Sequence, residues 1–367
     1  MEKIYQIALS NVEGVGSVFF RQLISYCGSA ENVFKAKTDK LFKISGVGRV
    51  VIEGLKNKEL ISDAEKTLIN AEKQGAQLFF STDKNYPSRL KPLYDAPAVL
   101  YYKGSASLDH FRSIGIVGTR QATDYGKKVT ESIVEQSKNY NPLIVSGLAY
   151  GIDITAHKAA IDFGLPTIAV MASGIDVIYP SQHEKYIDQI TSNGGIISEH
   201  PFGKQPIRNM FLSRNRIIAG LSDASIVIES AAKGGSLVTA EFANNYHRQV
   251  FAVPGTLANK ASEGCNKLIQ QNKANIYTQI NDLVETLNWD LEENPVKIKF
   301  KKNDVDLSMF TDEEAHVISH LRTNGELQID ELSWQTQVPL NRLASLLLNL
   351  EFQGIIKAMP GKKFGLK

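Results

Sequence analysis

Four segments of the sequence combine small residues with basic, hydroxyl or aromatic side chains in a way that suits phosphate binding. The first is Gly118-Thr119-Arg120, which follows an apolar run. Glycine lets a phosphate approach the backbone, threonine can donate a hydroxyl, and arginine can form two parallel hydrogen bonds with phosphate oxygens. The segment lacks the three-glycine spacing of a dinucleotide fingerprint, so it does not indicate NAD binding. The alternative is a tight turn with a surface arginine.

The second segment runs from Ser146-Gly147-Leu148 to Asp153 and lies at the end of another apolar run. Its small residues predict that backbone N–H groups stay accessible and form a nest for an anion. Asp153 is predicted to cap the helix that comes next. His157, on the same helix, has no partner at local spacing, so we predict a structural hydrogen-bonding role for it in preference to catalysis.

The third segment places three arginines around an aromatic residue and an asparagine: Arg208, Phe211, Arg214, Asn215 and Arg216. Guanidinium groups take phosphates, and an aromatic ring offers a stacking face worth about 1–3 kcal/mol per base, which is the combination that single-stranded nucleic acid needs. The alternative is that Phe211 lies in the core and that one arginine forms a salt bridge with a buried carboxylate such as Asp223. Of Arg214 and Arg216, we expect one to be structural and the other to be exposed.

The fourth segment is Lys233-Gly234-Gly235-Ser236, which opens a helical pattern. Two glycines and a serine at the start of a helix form a further phosphate-binding N-terminus. The Gly-Lys-Ser/Thr sequence of a Walker A loop is absent, so nucleotide hydrolysis is not indicated. One such segment would be a weak signal, but several at the carboxyl ends of strands describe a groove that can follow consecutive phosphates.

The elements that must hold these segments alternate between strands and helices. Short apolar runs predict strands at Ser113–Val117, Leu143–Ser146, Thr167–Met171, Gly195–Ser198, Ser225–Ile228, Val250–Val253 and Asn275–Tyr277. Most of the intervals are helical in pattern, for example Gly126–Lys138 and Leu237–Tyr246. Continuous apolar strands that alternate with helices indicate a parallel sheet covered on both faces. The sequence therefore predicts an α/β core with a doubly wound, Rossmann-like sheet.

Smaller domains are predicted on both sides of this core. Before it, Gly-Val-Gly turns at residues 14–16 and 46–48 each precede a helical pattern, and the pair looks like helix-hairpin-helix elements. After it, three helices and a terminal hairpin predict a winged helix. The predicted limits are residues 1–80 for the helical domain, 81–287 for the core, 288–304 for a linker and 305–367 for the winged helix.

Composition indicates an ordinary soluble, cytoplasmic globular protein. Apolar residues make up 43% and charged residues 22% of the 367 positions, and no run approaches the roughly 20 apolar residues of a membrane helix. Because the net charge is only +2, an anion-binding surface must come from local placement of basic side chains and backbone N–H groups. Cys27 and Cys265 lie far apart without zinc-ligand spacing, which suits a reducing compartment. We predict no metal, no cofactor and no catalytic residue.

In this order, the motifs resemble the DNA-processing protein A family (DprA, also called Smf). The segments that match the family's marks are Gly118–Arg120, Ser146–Asp153, Phe211–Arg216, Gly235–Ala240 and Val253–Gly255. Leu212 stands where the family pattern often has proline. The resemblance implies a homodimer that binds and protects single-stranded DNA and helps to load the RecA recombinase in natural transformation or recombination, without known catalysis. It also implies that the N-terminal extension is of SAM-like type.

Three alternatives stay open at this level. An enzyme of the related phosphoribohydrolase type is the main rival, because the segment 234–241 loosely matches that family's motif and ends at Glu241, although a proline and a third glycine are missing. The Gly-Val-Gly turns fit either contact with duplex phosphates or a scaffold role. The winged helix fits either DNA or a protein partner, because its first helix opens with Asp312-Glu313-Glu314 and its expected recognition helix offers only Arg342.

Overall fold

The computed structural model describes residues 1–289, 307, 310–359 and 363–366. The chain divides into two compact units, Met1–Trp289 and Asp290–Lys367. Most of the predicted linker at 288–304, and the turn Pro360-Gly361 of the predicted hairpin, lie outside the described residues. No helix within the described ranges is long and apolar enough to cross a membrane.

The described part of the larger unit is built on a nine-stranded sheet. Its strands are β1 (Gln77–Phe80), β2 (Val99–Gly104), β3 (Ser113–Val117), β4 (Leu143–Ser146), β5 (Thr167–Val170), β6 (Gly195–Ser198), β7 (Ala224–Val227), β8 (Gln249–Ala252) and β9 (Asn275–Ile276). They are arranged as β1-β2-β6-β5-β4-β3-β7-β8-β9. The strands from β6 to β9 in this arrangement are parallel, and β1 and β2 add an antiparallel edge.

The predicted strands are confirmed with small shifts at their ends. β3, β4 and β6 have the predicted limits, β7 and β8 lie one residue earlier, and β5 and β9 end one residue earlier. Every residue of the five strands β3, β4, β5, β6 and β7 is buried. This burial on both faces explains why the strands appear in the sequence as continuous apolar runs and not as alternating ones.

Six helices precede β1 in the chain, and later helices cover both faces of the sheet. The first group is α1 (Glu2–Ser10), α2 (Ser17–Cys27), α3 (Ala30–Lys35), α4 (Thr38–Leu41), α5 (Arg49–Lys56) and α6 (Glu59–Lys73). The second group is α7 (Asp124–Gln136), α8 (Ile152–Asp162), α9 (Ile187–Asn193), α10 (Arg208–Leu221), α11 (Ser236–Asn245), α12 (Glu263–Gln270) and α13 (Ile280–Thr286). Helices α10 and α11 share one hydrophobic core with the sheet, whereas α7 and α8 share another. The doubly wound, Rossmann-like core is therefore confirmed.

The path of the chain opens a crevice at the carboxyl ends of β3 and β7. From β3 the chain moves outward through β4 and β5 to β6, and α10 then returns it to β7 on the other side of β3. The loops that leave β3 and β7 consequently diverge. A crevice between such diverging loops is where doubly wound sheets bind their ligands.

The N-terminal helices pack against the sheet within the larger unit. Phe20 of α2 lies in the same hydrophobic core as Tyr101 of β2, and Arg21 donates a hydrogen bond from Nη1 to the carbonyl oxygen of Leu93 at 2.6 Å. Helices α2 and α5 begin directly after the two Gly-Val-Gly turns. The domain limits at residues 80 and 287 stay predictions.

The smaller unit has the order of elements of a winged helix. Its described elements are α14 (Asp312–Asn324), β10 (Leu327–Gln328), α15 (Ile329–Thr336), α16 (Leu340–Phe352), β11 (Ile356–Met359) and β12 (Lys363–Leu366). The strands form an antiparallel sheet in the order β10-β12-β11. A capping box of Thr311 and Glu314 starts α14. The predicted three helices and terminal hairpin are confirmed.

Candidate nucleic-acid interface

A cavity of about 280 Å³ occupies the crevice at the carboxyl ends of β3 and β7. All four predicted segments contribute to its lining: the second through Ala149, and the other three through Gly118, Thr119, Arg120, Phe211, Arg214, Asn215, Gly234, Gly235 and Ser236. Asp153 and Thr239 form further parts of the wall. Segments that are distant in the sequence therefore meet at one edge of the sheet, as the strand pattern predicts.

The loop after β3 supplies an exposed arginine at the mouth of this cavity. The guanidinium carbon of Arg120 lies 5.0 Å from the centroid of the Phe211 ring, which is a cation–π contact. Gly118 permits a close approach of two segments, because a Cβ at this position would come within 2.5 Å of the Ile152 side chain. Arg120 and the backbone around Gly118 are thus the parts of this loop that can meet a ligand.

A buried carboxylate that the sequence analysis missed closes the start of α7. Glu229, which is 1% exposed, accepts hydrogen bonds from the N–H of Thr123 at 3.0 Å and from its hydroxyl at 2.5 Å. The carbonyl oxygen of Glu229 accepts the N–H of Thr119 at 2.8 Å. Thr123 itself caps α7. The start of α7, which could have bound a phosphate, is therefore already occupied by an internal carboxylate. The sequence signal that could have indicated this was an acidic residue at the end of a buried strand.

The first three residues of the second predicted segment lie beneath the surface. Ser146, Gly147 and Leu148 are all buried, and the hydroxyl of Ser146 donates to the carbonyl oxygen of Ile116 at 2.6 Å. The prediction of an accessible nest is wrong for these three residues, because neighbouring strands and helices cover them, whereas Ala149 of the same segment lines the cavity and Tyr150 is exposed. In this structure the three residues support the cavity from below.

Asp153 occupies the nest that was predicted for an external anion. Its carboxylate accepts hydrogen bonds from the N–H groups of Gly147 and Ala149 and interacts with the charge of Arg214. Burial raises the pKa of Asp153, while Arg214 and the two amides lower it. The prediction that Asp153 caps α8 is wrong, since Gly151 stands at the N-cap and the carboxylate folds back into the preceding loop.

Arg214 lies in the floor of the cavity with its side chain buried. Only 4% of the residue is exposed, and its Nη1 donates to the carbonyl oxygens of Gly147, at 2.6 Å, and Val170. Burial lowers the pKa of Arg214 to about 10, although the nearby Asp153 raises it. The guanidinium therefore joins the loop after β4 to the end of β5.

Arg216 points away from the cavity. Its Nη2 donates to Glu199 Oε2 at 2.5 Å and to the hydroxyl of Ser17 in α2 at 3.3 Å. The expectation that one arginine of the pair is exposed is wrong, because α10 runs between the loops of the sheet on one side and α2 on the other. The alternative that one arginine of α10 forms a salt bridge with Asp223 is also wrong, since Asp223 pairs with Arg89 at 2.7 Å.

The first turns of α10 form part of the rim of the cavity. Arg208 is exposed and Phe211 is partly exposed. The ring of Phe211 meets that of Tyr179 edge to face, with 5.4 Å between centroids, so Phe211 is a rim residue and not a core residue. Further along, Asn215 is mostly buried and donates to the carbonyl oxygen of Gly235 at 3.2 Å, which joins α10 to the fourth segment.

Helix α11 begins within the fourth segment, as predicted. Gly235 is its N-cap and Ser236 its first residue, whose hydroxyl donates to Ser230 Oγ at 3.0 Å. Lys233 is exposed just before it. Thr239, one turn into the helix, is fully buried in the cavity wall, and its hydroxyl has no hydrogen-bond partner among the described residues. The sequence analysis did not select Thr239, although its spacing of three from Ser236 places both on one helix face.

Two residues that could suggest catalysis are badly placed for it. His157 is fully buried with Nδ1 2.7 Å from Thr167 Oγ1, and burial lowers its pKa to about 3, so the predicted structural role is confirmed. Glu241 is exposed and, at 100° per residue, lies on nearly the opposite face of α11 from Ser236 and Thr239. The described residues contain no cluster of histidine, cysteine or carboxylate side chains suited to a metal ion.

The fold and the cavity define the class of protein: a doubly wound α/β protein with a ligand cleft at the switch point of its sheet and a winged helix after it. The chain belongs to the DNA recombination-mediator protein A family, whose sequence model matches residues 77–288. The DprA winged helix domain matches residues 306–362.

Several relatives extend over most of the chain. It is similar to the protein Smf of Synechocystis sp., with 38% identity over 292 residues that cover 78% of this chain and 73% of that protein. It is also similar to the DNA processing protein DprA of Streptococcus pneumoniae, with 41% identity over 203 residues that cover 55% of this chain and 72% of that protein.

Solved structures of the same family match the fold. The X-ray structure of DNA processing protein A from Streptococcus pneumoniae has a TM-score of 0.66 at 35% identity and covers 77% of this chain and 97% of that one. A structure of DNA processing protein A from Helicobacter pylori, which concerns a single-stranded DNA binding mode, has a TM-score of 0.53 at 33% identity and covers 59% of this chain and 96% of that one.

Proposed function

We propose that this protein binds single-stranded DNA at the cavity between β3 and β7 and along its rim. The observation that carries the proposal is the contact of Arg120 with Phe211, a guanidinium beside an aromatic ring at the mouth of the cavity. A guanidinium takes a phosphate, and a ring stacks on an unpaired base that a duplex does not offer. The single-stranded DNA binding mode described for the Helicobacter pylori relative supports the same ligand here.

The charges around the cavity are arranged for an anionic strand. Arg120, Arg208 and Lys233 are exposed, whereas the carboxylates of Asp153 and Glu229 are buried and hydrogen-bonded. Positive side chains consequently face outward although the net charge of the chain is only +2. Because phosphate contacts release counterions from DNA, we expect the affinity to fall as salt rises.

The role of this binding is DNA processing in natural transformation or recombination. The family's description as a recombination mediator and the names of the relatives support this assignment. In this role the protein protects the incoming strand in the cytoplasm and helps to load the RecA recombinase on it. As a homodimer it would offer two cavities to one strand, and joining two sites raises the effective affinity.

The proposed activity is binding without turnover. The exposed position of Glu241 on α11 disfavours a phosphoribohydrolase, which needs a glutamate at the ribose. Incubation with nucleoside monophosphates should therefore release no free base. Base release that is lost in Glu241→Gln would contradict the proposal.

Fluorescence anisotropy with labelled oligo-dT at two salt concentrations tests the site itself. Arg120→Ala should weaken binding by about tenfold or more, because it removes a charge-assisted contact. Lys103→Ala is the matched control, since this exposed lysine pairs with Ile196 near the amino end of β6. If neither Arg120→Ala nor Lys233→Ala changes the affinity, the cavity is not the DNA site.

A further inference from the structure

A second aromatic ring stands beside the cavity, on a loop that none of the four predicted segments includes. Tyr179 follows β5 and is 43% exposed. Its ring contacts Phe211 edge to face, at 5.4 Å between centroids and an interplanar angle of 61°. The guanidinium carbon of Arg120 lies over the Phe211 ring, 5.0 Å from its centroid. Arg120, Phe211 and Tyr179 therefore form one continuous row along the rim, which we call the stacking row.

We propose that Tyr179 is a second stacking platform, which binds the base of a nucleotide next to the one held at the cavity. This inference rests on the proposed binding of single-stranded DNA. It assigns a base contact to the loop after β5, whereas the predicted segments follow β3 and β4 or lie at the starts of α10 and α11.

The distance of Tyr179 from Phe211 suits a neighbouring base. The centroids of the two rings lie 5.4 Å apart. That is further than the rise of one stacked nucleotide, about 3.4 Å. A base stacked on Tyr179 would thus be a different one from the base that meets Phe211.

The openness of the ring also favours contact with a ligand. One face of Phe211 is covered by Arg120 and its residue is only partly exposed. Tyr179 is the more exposed of the two residues. An exposed ring held against a second ring keeps its hydrophobic surface in water unless something stacks on it, and an unpaired base has a flat π face that fits.

The loop that carries Tyr179 is fixed in place, which lowers the entropy that binding would cost. The carbonyl oxygen of Leu148 can only accept a hydrogen bond, so Nδ1 of His183 is the donor to it, at 2.7 Å. The hydroxyl of Tyr150 donates to Gln182 Oε1 at 2.7 Å, and its ring packs edge to face on His183 at 5.1 Å between centroids. The loops after β4 and β5 therefore hold each other, and Tyr179 is presented on a rigid support.

The test separates stacking from phosphate binding by comparing two strands with the same number of phosphates. Anisotropy is measured with oligo-dT and with an abasic oligonucleotide of equal length, on wild type, Tyr179→Ala and Tyr179→Leu. Tyr179→Leu keeps apolar contact with Phe211 but has no ring. The control is Tyr94→Ala, because Tyr94 is 60% exposed and also packs edge to face, on Tyr246. Tyr246 caps the far end of α11, about 15 Å along that helix from Ser236.

We expect both Tyr179 variants to bind oligo-dT at least about fivefold more weakly, the low end of base stacking on an aromatic side chain. Binding to the abasic strand and the salt dependence should stay as in wild type, and Tyr94→Ala should leave both unchanged. In Tyr179→Trp, the added indole fluorescence should be quenched by oligo-dT and not by the abasic strand, which a merely supporting side chain would not show.

The outcomes distinguish this inference from the proposed function. If wild type binds neither strand, the proposed function fails and the inference fails with it. If wild type binds oligo-dT while the Tyr179 variants bind it equally well, or lose affinity equally for both strands, the stacking platform is refuted and the DNA site stands without it.

Discussion

Replacement of Arg214 by alanine should destabilise the larger unit of the protein and affect DNA binding only secondarily. The buried guanidinium donates to the carbonyl oxygens of Gly147 and Val170 and lies near the carboxylate of Asp153. Without it, a buried carboxylate loses its opposite charge and two carbonyl groups lose a donor. Removing one partner of a buried charged pair costs about 3–5 kcal/mol of the free energy of unfolding.

This loss can be measured as a shift in the melting temperature by circular dichroism. One kcal/mol corresponds to about 2–4 °C for a domain of 150–250 residues. The unit Met1–Trp289 is longer than that, so one kcal/mol corresponds to about 1.6 °C and the fall should be about 5–8 °C. The double variant Arg214→Ala, Asp153→Asn should melt above the single variant, because it also removes the unpaired charge.

A specific result would refute this assignment. If Arg214→Ala melts like wild type and loses as much affinity for oligo-dT as Arg120→Ala, then Arg214 contacts DNA directly. Its buried hydrogen bonds would then not stabilise the fold. A variant that melts early but binds oligo-dT normally below its melting temperature agrees with a structural role.

Three further predictions follow from the surroundings of the cavity. Lys233→Ala should lower the slope of log affinity for oligo-dT against log salt by about 0.7, as expected for one lost phosphate contact with a single strand; an unchanged slope would place Lys233 off the strand. Gly118→Ala should cost about 1–3 kcal/mol in urea unfolding through overpacking, because its Cβ would lie 2.5 Å from Ile152, and Ile152→Ala in the same chain should restore part of the loss. His157 has a pKa of about 3 in the folded protein, against about 6.5 in an unfolded chain. Its neutral ring therefore stabilises the fold above pH 6.5. This contribution to the free energy of unfolding is lost as the pH falls from 6.5 toward 3, by up to ~1.4 kcal/mol per pH unit. His157→Asn should therefore flatten the decline of stability between pH 6.5 and pH 5, and an equal decline in both proteins would contradict the reasoning.

The fold could be predicted well because its signals are local. Strands such as β3 and β4 are buried on both faces, so their apolar runs mark them with the correct limits. Gly235 and Ser236 likewise mark the start of α11. The limits of β7 and β8 are shifted by one residue, because burial continues beyond the last paired residue and an apolar run does not show where hydrogen bonding ends.

The candidate site could be predicted only in part. Positions of loops follow from strand order, so the segments at Gly118, Phe211 and Gly235 do meet at one cavity. Which side chains face that cavity does not follow. Arg214 and Arg216 are alike in the sequence, yet one lies in the floor of the cavity and the other binds Glu199, because different elements pack over the two sides of α10.

The internal anions were the larger omission. Glu229 and the carboxylate of Asp153 occupy backbone amides that, in the sequence alone, are available to phosphate. A nest of N–H groups binds whichever anion reaches it, and the sequence does not show that a carboxylate of the same chain is already there.

The sequence by itself determined the doubly wound core, the winged helix after it and the edge of the sheet at which the polar segments gather, since each depends on periodicity and chain order. Tertiary structure decided which of those polar groups remain open to a ligand. It buried Ser146 and Arg214, and along the stacking row it left Arg120 and Tyr179 exposed and Phe211 partly exposed. The physical reason is that exposure depends on which distant segment packs over a side chain, and that contact is formed only when the whole chain folds.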